Sequence, residues 1–256
     1  MNYLNHVIAK QPDDQLERYL GSPSIAMLPN GHYVVAHDFF GKDSSEHQQG
    51  QTHVYLSEDK GATWQLQAKI NGAFWSSLFL HQDKLYLLGT DSNLGSVVIR
   101  RSVDGGKTWT NPSGPSNGLL LNGEFHGAPT PVLCHNGRIW RAIETASGPI
   151  KQWGKRYGAM VISAPQDADL LKADSWTSSN SLLYNASYLN GNFNGWLEGN
   201  IVLAPNGGLH NVLRVDDKSS LEEKVAVINI SEDGRHIEFN AENGFNSGGL
   251  ASLDGF

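Results

Sequence analysis

Four times along the 256-residue chain an apolar run breaks at a short polar turn and then resumes. The paired runs cover residues 25–36 around Asn30-Gly31, 78–89 around Gln82-Asp83, 131–143 around Asn136-Gly137 and 201–213 around Asn206-Gly207. Asn-Gly between apolar runs is the strongest short-range hairpin signal, because a type I′ turn needs positive φ at both central residues. Four hairpins are therefore expected. No stretch sustains a 3.6-residue apolar period, so the chain reads as all-β.

A second repeat interleaves with the first. Ser57-Glu58-Asp59-Lys60-Gly61-Ala62-Thr63-Trp64 and Ser102-Val103-Asp104-Gly105-Gly106-Lys107-Thr108-Trp109 share the pattern S-x-D-x-G-x-T-W, 45 residues apart from 57 to 102. Ser231-Glu232-Asp233-Gly234 is a weaker copy, and Leu170-Leu171-Lys172-Ala173-Asp174-Ser175-Trp176 reads as a degenerate member between them. Each unit is then a hairpin followed by a strand pair bearing the box, four antiparallel strands in all. A blade-sized period of this kind is the mark of a radial repeat fold. The expected architecture is a single β-propeller domain over residues 1–256, with four to five blades present of the six or seven that close such a ring. Residues 244–256 read as the start of a further unit, and the chain as truncated at its C-terminal end.

Composition narrows the function classes. A net charge of -7 with no basic cluster excludes a nucleic-acid footprint. The one cysteine, Cys134, rules out disulfides within the chain. The first twenty residues lack a signal peptide's basic head and apolar core, and no run of about 18 apolar residues could span a membrane. No His/Cys/Asp cluster has metal-ligand spacing and no phosphate-cradling glycine motif occurs, so neither metal nor cofactor is expected. A monomer is expected.

The boxes at 57–64 and 102–109 resemble those of the sialidase superfamily. The box itself is a structural turn, in which Asp59 and Asp104 accept backbone N–H bonds and Trp64 and Trp109 pack between sheets. Sialidases carry Arg-Ile-Pro near the first strand, a three-arginine clamp and a Tyr/Glu nucleophile pair; this chain has Ser22-Pro23-Ser24-Ile25 in the first position instead. That segment is similar to the sialidase-like propellers of gut Bacteroidetes that remove L-rhamnose linked α-1,4 to glucuronic acid, and to related uronan lyases. So are Ala36-His37-Asp38-Phe39-Phe40-Gly41, Phe125-His126-Gly127-Ala128-Pro129, Gly137-Arg138-Ile139-Trp140-Arg141 and Trp196-Leu197-Glu198-Gly199-Asn200. The resemblance implies a glycosidase relying on one histidine, placed at His37, acting on a uronate-bearing oligosaccharide or polysaccharide. It also favours a periplasmic or secreted location.

Hairpin geometry supplies candidates independently. The start of a hairpin's first strand and the end of its second lie together, opposite the turn. Ser22, Ser24, His37 and Asp38, then Ser76, Ser77 and Asp91, then His126 and Glu144, then Glu198, Asn200 and Arg214 thus converge on one mouth. His37, His126 and Glu198 are the catalytic candidates there; Asp38, Asp91, Glu144, Trp196, Asn200 and Arg214 are the substrate-binding ones. Arg214 suits a uronate carboxylate. Glu144 and Glu198 could form a two-carboxylate glycosidase pair. Trp196, Trp75 and Trp140 could stack on sugar rings or pack between blades. Three alternatives stay open: a sialidase-like glycosidase, a lyase using His126, Arg214 and Tyr188, and a noncatalytic glycan-binding propeller.

Overall fold

The computed structural model describes residues 18–41, 47–218 and 224–247. They form four antiparallel sheets, each following the chain in order. Sheet 1 contains β1 (Arg18–Met27), β2 (Tyr33–Gly41), β3 (Gln51–Ser57) and β4 (Gln65–Asn71), and sheet 2 contains β5 (Phe74–His81), β6 (Lys84–Thr90), β7 (Val97–Ser102) and β8 (Leu119–Leu121). In sheet 3 the first strand is split into β9 (Phe125–His126) and β10 (Leu133–His135), both paired with β11 (Arg138–Thr145), followed by β12 (Gly158–Pro165) and β13 (Thr177–Ser178). Sheet 4 contains β14 (Phe193–Leu203), β15 (Leu209–Asp217), β16 (Lys224–Ile230), β17 (Ile237–Glu238) and β18 (Phe245–Ser247).

Side chains alternate between the two faces of each strand, and both faces are used. Val34, Ala36, Val54 and Leu56 of sheet 1 pack on Leu78, Leu85 and Leu87 of sheet 2. The intervening Tyr86 and Leu88 turn the other way, onto Ile139, Ile143 and Ile162 of sheet 3. Trp140, Ala142 and Val161 then meet Trp196, Leu213 and Ile228 of sheet 4. Being sandwiched on both faces is why β6, β11 and β12 are buried at nearly every residue. The first strands are also laced together: Ser24 Oγ accepts the Leu78 N–H (2.8 Å), Ser77 Oγ donates to Thr130 O (2.6 Å), and Thr130 Oγ1 donates to Gly199 O (2.9 Å).

The hairpins fall where the apolar pattern puts them, but two Asn-Gly turns are not type I′. In Leu28-Pro29-Asn30-Gly31 and Ala204-Pro205-Asn206-Gly207 only the glycine has positive φ, and its N–H bonds the first carbonyl of the turn (2.9 Å in both). Proline at the second position fixes φ near -65° and selects type I with a left-handed glycine after it. The I′ turns are Asn136-Gly137 and, without any glycine, Gln82-Asp83.

The box turns lie between third and fourth strands. Asp59 accepts the Thr63 N–H (2.8 Å) and the hydroxyls of Ser57 and Thr63, and Asp104 does the same for Thr108 and Ser102. Segment 170–176 instead forms a short 3-10 turn whose Trp176 indole bonds Leu170 O. Residues 245–247 start no new unit: they pair with β16 and extend the outer edge of sheet 4. Residues 248–256 lie outside the described residues.

Candidate functional site

Register places four second-strand residues at one level. Gly21 pairs with Asp38, Phe74 with Thr90, His126 with Glu144 and Leu197 with Arg214. Immediately after each first-strand partner the ladder is interrupted, by a bulge at Ser22, Trp75 and Glu198 and by segment 127–132 in sheet 3. Ser22, Trp75 and Glu198 all adopt left-handed backbone (φ 51°, 48° and 42°), a conformation non-glycine residues rarely take and one that clusters at binding sites.

The centre of the group is His126. Its Nδ1 lies 3.0 Å from Glu144 Oε2, while Glu144 Oε1 accepts the Gly199 N–H (3.0 Å). Glu144 is 0% exposed. A carboxylate accepting from the ring holds the proton on Nδ1 and leaves Nε2 as the working nitrogen. Among the described residues no group bonds Nε2. Tyr157, at the foot of β12, stacks on the imidazole (centroids 4.5 Å apart, 26°), and Trp75 meets it edge-on (4.5 Å, 65°). Leu94, Ala146, Tyr157 and Leu197 form the small apolar cluster beneath, with Trp75 against it.

Asp38 supports this arrangement from sheet 1. Its Oδ2 accepts the Trp75 N–H (2.7 Å), its Oδ1 is 2.5 Å from Thr52 Oγ1, and Ser22 also bonds it. Burial, only partly offset by these hydrogen bonds, pushes its pKa up to about 7. At the rim Glu198 and Arg214 form an ion pair (2.9 Å), each more than a third exposed. Glu198 adjoins Gly199, whose N–H Glu144 holds, so both carboxylates border one bulge. Buried Arg141 donates to Thr130 Oγ1 and Ala128 O, fixing the 127–132 segment.

The remaining sequence candidates lie elsewhere. His37 has the opposite parity from Asp38, and its ring sits on the other face of sheet 1 among Phe39, His53 and Tyr55. Asp91 is a turn carboxylate that accepts the Ser96 N–H (3.0 Å) and lines a separate polar cleft of about 360 Å³ with Arg100, Asn111 and Asn122. Trp196 cannot stack on a ligand: it is 0% exposed, its indole bonds Leu183 O (3.2 Å), and Phe193, Tyr188 and Phe239 enclose it. Inter-sheet packing is its role, and Trp140 shares it. Tyr188, the acid of the lyase alternative, belongs to that same aromatic core. Asn200 Oδ1 is buried with no hydrogen-bond partner among the described residues. No group of three His, Cys, Asp or Glu side chains among the described residues could hold a metal, and no helix among them is long and apolar enough to cross a membrane.

The fold has solved counterparts. The structure is similar to an α-L-arabinofuranosidase from Lactobacillus brevis (TM-score 0.55, 16% identity, covering 84% of this chain and 74% of that one). It is also similar to the α-L-arabinofuranosidase Arb93A from Fusarium graminearum, solved with an iminosugar inhibitor (0.54, 13%, 90% and 70%), and to the Hadza microbial sialidase Hz136 (0.51, 17%, 86% and 46%). At these identities the likeness is one of fold, the propeller-type fold of glycoside hydrolases. No protein-family profile matches the chain, and no curated relative does.

Sequence reasoning missed Tyr157. The same antiparallel geometry that brings second-strand ends to the mouth also brings third-strand starts there, and extending the rule by one strand would have found it.

Proposed function

We propose that this chain bears the catalytic face of a glycosidase that releases a terminal sugar from a uronate-bearing glycan, with His126 transferring the proton and Glu144 orienting it. The observation that carries the reading is the His126–Glu144 pair at the mouth, one ring nitrogen held by a buried carboxylate and the other without a partner among the described residues. Hydrolysis needs a proton on the leaving oxygen and an activated water, and imidazole can serve either task near neutral pH. Glu198, which precedes the Gly199 whose N–H Glu144 holds, is a second, solvent-reachable acid–base group at the rim. Arg214, held by Glu198, offers a guanidinium at the rim for a sugar carboxylate. The glycosidases and sialidase that share the fold agree with a carbohydrate substrate, and the sequence resemblance narrows it to L-rhamnose linked α-1,4 to glucuronic acid. His37 led on the sequence; its place on the far face of sheet 1 moves the lead to His126.

Elimination is the second reading, favoured by Tyr157 stacked on His126, a pairing that could supply base and acid to a uronate ring. The deciding experiment incubates the protein with rhamnose-capped arabinogalactan, a uronan and a sialyl glycoside, followed by sugar analysis and ultraviolet absorbance for an unsaturated uronate. Free rhamnose without new absorbance is expected from the wild type and from His37→Gln, and loss of release from His126→Gln. New absorbance assigns elimination. Full activity in His126→Gln overturns the assignment.

A further inference from the structure

Beside the mouth stands an aromatic ring that neither the motif nor the hairpin reasoning identified. Trp153, on the loop joining β11 to β12, is 54% exposed, the most exposed tryptophan among the described large hydrophobic residues. Its ring is edge-on to Tyr157 (centroids 6.2 Å apart, 85°), and Tyr157 stacks on His126, so the exposed indole is two ring contacts from the proposed proton-transfer group.

The loop that carries it is pinned. The Arg156 N–H bonds Gln152 O (3.0 Å), the Tyr157 N–H bonds Gly154 O (3.0 Å) and the Gly148 N–H bonds Arg156 O (3.1 Å). Arg156 ties the base of the loop to Ala146 O (3.1 Å) and to Glu124 (3.0 Å). Gly154 lies against the start of β14 so closely that a Cβ on Gly195 would stand 2.2 Å from Gly154 O. Leaving this much indole in water forfeits burial energy. A rigid loop that nonetheless presents it has the form of a ready-made stacking platform, in which little ordering entropy is lost on binding.

The chemistry around the ring sets the ligand class. Lys151 and Lys155 flank Trp153 in the loop, and Lys151 is 65% exposed with only a long contact (3.8 Å) to Glu124. Lys155 lies over the Tyr184 ring (4.9 Å). Lys151, Lys155 and Arg156 against the one carboxylate of Glu124 make this loop locally basic on a chain of net charge -7.

We infer that Trp153 is the platform of an acidic-sugar subsite, stacking a carboxylate-bearing sugar ring with Lys151 and Lys155 facing its charge. The inference rests on the glycosidase reading for its placement next to His126. The test is binding rather than turnover: calorimetric titration with a glucuronate-terminated arabinogalactan oligosaccharide and with its carboxyl-reduced counterpart. Affinity for the acidic probe is expected to fall about tenfold in Trp153→Ala, to persist in Trp153→Phe, and to weaken with added salt; unchanged circular dichroism shows that the fold is kept. Wild-type affinity in Trp153→Ala overturns the platform, and equal binding of the reduced probe overturns the acidic class. Trp153-dependent binding by a protein that releases no sugar from any substrate supports the subsite and removes the glycosidase reading. Sugar release with Trp153-independent binding does the reverse.

Discussion

Asp38→Asn should make the protein more stable at alkaline pH, which is the reverse of what loss of a buried, multiply bonded carboxylate suggests. The hydrogen-bond pattern explains why. Thr52 Oγ1 lies 2.5 Å from Asp38 Oδ1 and 2.9 Å from Ala73 O, and it has a single proton. If Asp38 is ionised, Thr52 must donate to it and Ala73 O loses its partner. If Asp38 is protonated on Oδ1, it donates to Thr52, Thr52 donates to Ala73 O, and Oδ2 still accepts the Trp75 N–H. An asparagine reproduces the second pattern, with Nδ2 toward Thr52 and Oδ1 toward Trp75. The folded pKa of about 7 lies above the ordinary 3.8, so the folded state holds the proton more tightly and stability falls as pH rises through that window. At about 1.4 kcal/mol per unit, the loss approaches 4 kcal/mol by pH 8. Because residue 38 is 1% exposed, solvent screening removes little of it. Urea denaturation of both proteins at pH 5 and pH 8 isolates the effect, since the other titrating groups cancel in the difference. The Asp38→Asn variant should gain on the wild type by about 2–3 kcal/mol between the two pH values. A pH-independent difference, or a variant that is weaker at pH 8, refutes the protonated network.

Substitutions at three other positions probe separate parts of the design. Glu144→Gln keeps an acceptor for the Gly199 N–H but turns a donor toward His126 Nδ1, forcing the proton to Nε2. Sugar release should drop about 10²- to 10⁴-fold with the thermal midpoint nearly unchanged, whereas Glu144→Ala should also lose about 1–3 kcal/mol in denaturation. Gly195→Ala places a methyl 2.2 Å from Gly154 O at φ 152° and should lower stability by roughly 1–3 kcal/mol or more, loosening the Trp153 loop to proteolysis. Asp59→Asn removes a pH dependence of opposite sign: its folded pKa is held down to about 2 by the Thr63 and Ser57 bonds, so its contribution is present above pH 3.8 and is lost as pH falls toward 2. Acid titration of the two proteins by circular dichroism should converge at the low end.

How far the sequence reached follows from which symmetries it displays. The hairpin runs and the S-x-D-x-G-x-T-W boxes are periodic, so sheet count and strand order could be read directly. Parity within a strand is not periodic in the same way. His37 and Asp38 are neighbours at one strand end, and it is the bond from the Trp75 N–H to Asp38, against the His37 ring among Phe39, His53 and Tyr55, that shows which of them faces sheet 2. Trp196 looked available for the same reason: it lies one residue from Leu197, which joins the cluster beneath the mouth, yet its own side chain enters the core against sheet 3. The three left-handed residues Ser22, Trp75 and Glu198 were illegible because serine, tryptophan and glutamate carry no preference for that conformation.

Those three positions nonetheless mark this end of the sheets: at the turn end the left-handed residues Gln82, Asp83 and Asn136 simply make the type I′ turns, whereas Ser22, Trp75 and Glu198 interrupt a strand ladder. A non-glycine residue with positive φ costs on the order of 1–3 kcal/mol, and such strain persists only where surrounding contacts over-determine it. Here those contacts are specific. The Ser22 hydroxyl bonds Asp38, the Trp75 N–H bonds Asp38 and its ring holds His126, and Glu198 pairs with Arg214 while the next N–H binds Glu144. Each strained residue is held by a group in the His126 cluster or one contact from it. The same structural position is therefore used in sheets 1, 2 and 4 to turn a side chain off its strand toward the shared mouth, while sheet 3 breaks its first strand instead and puts His126 at the break. An ordinary ladder at these four points would have relieved the strain and dispersed the group.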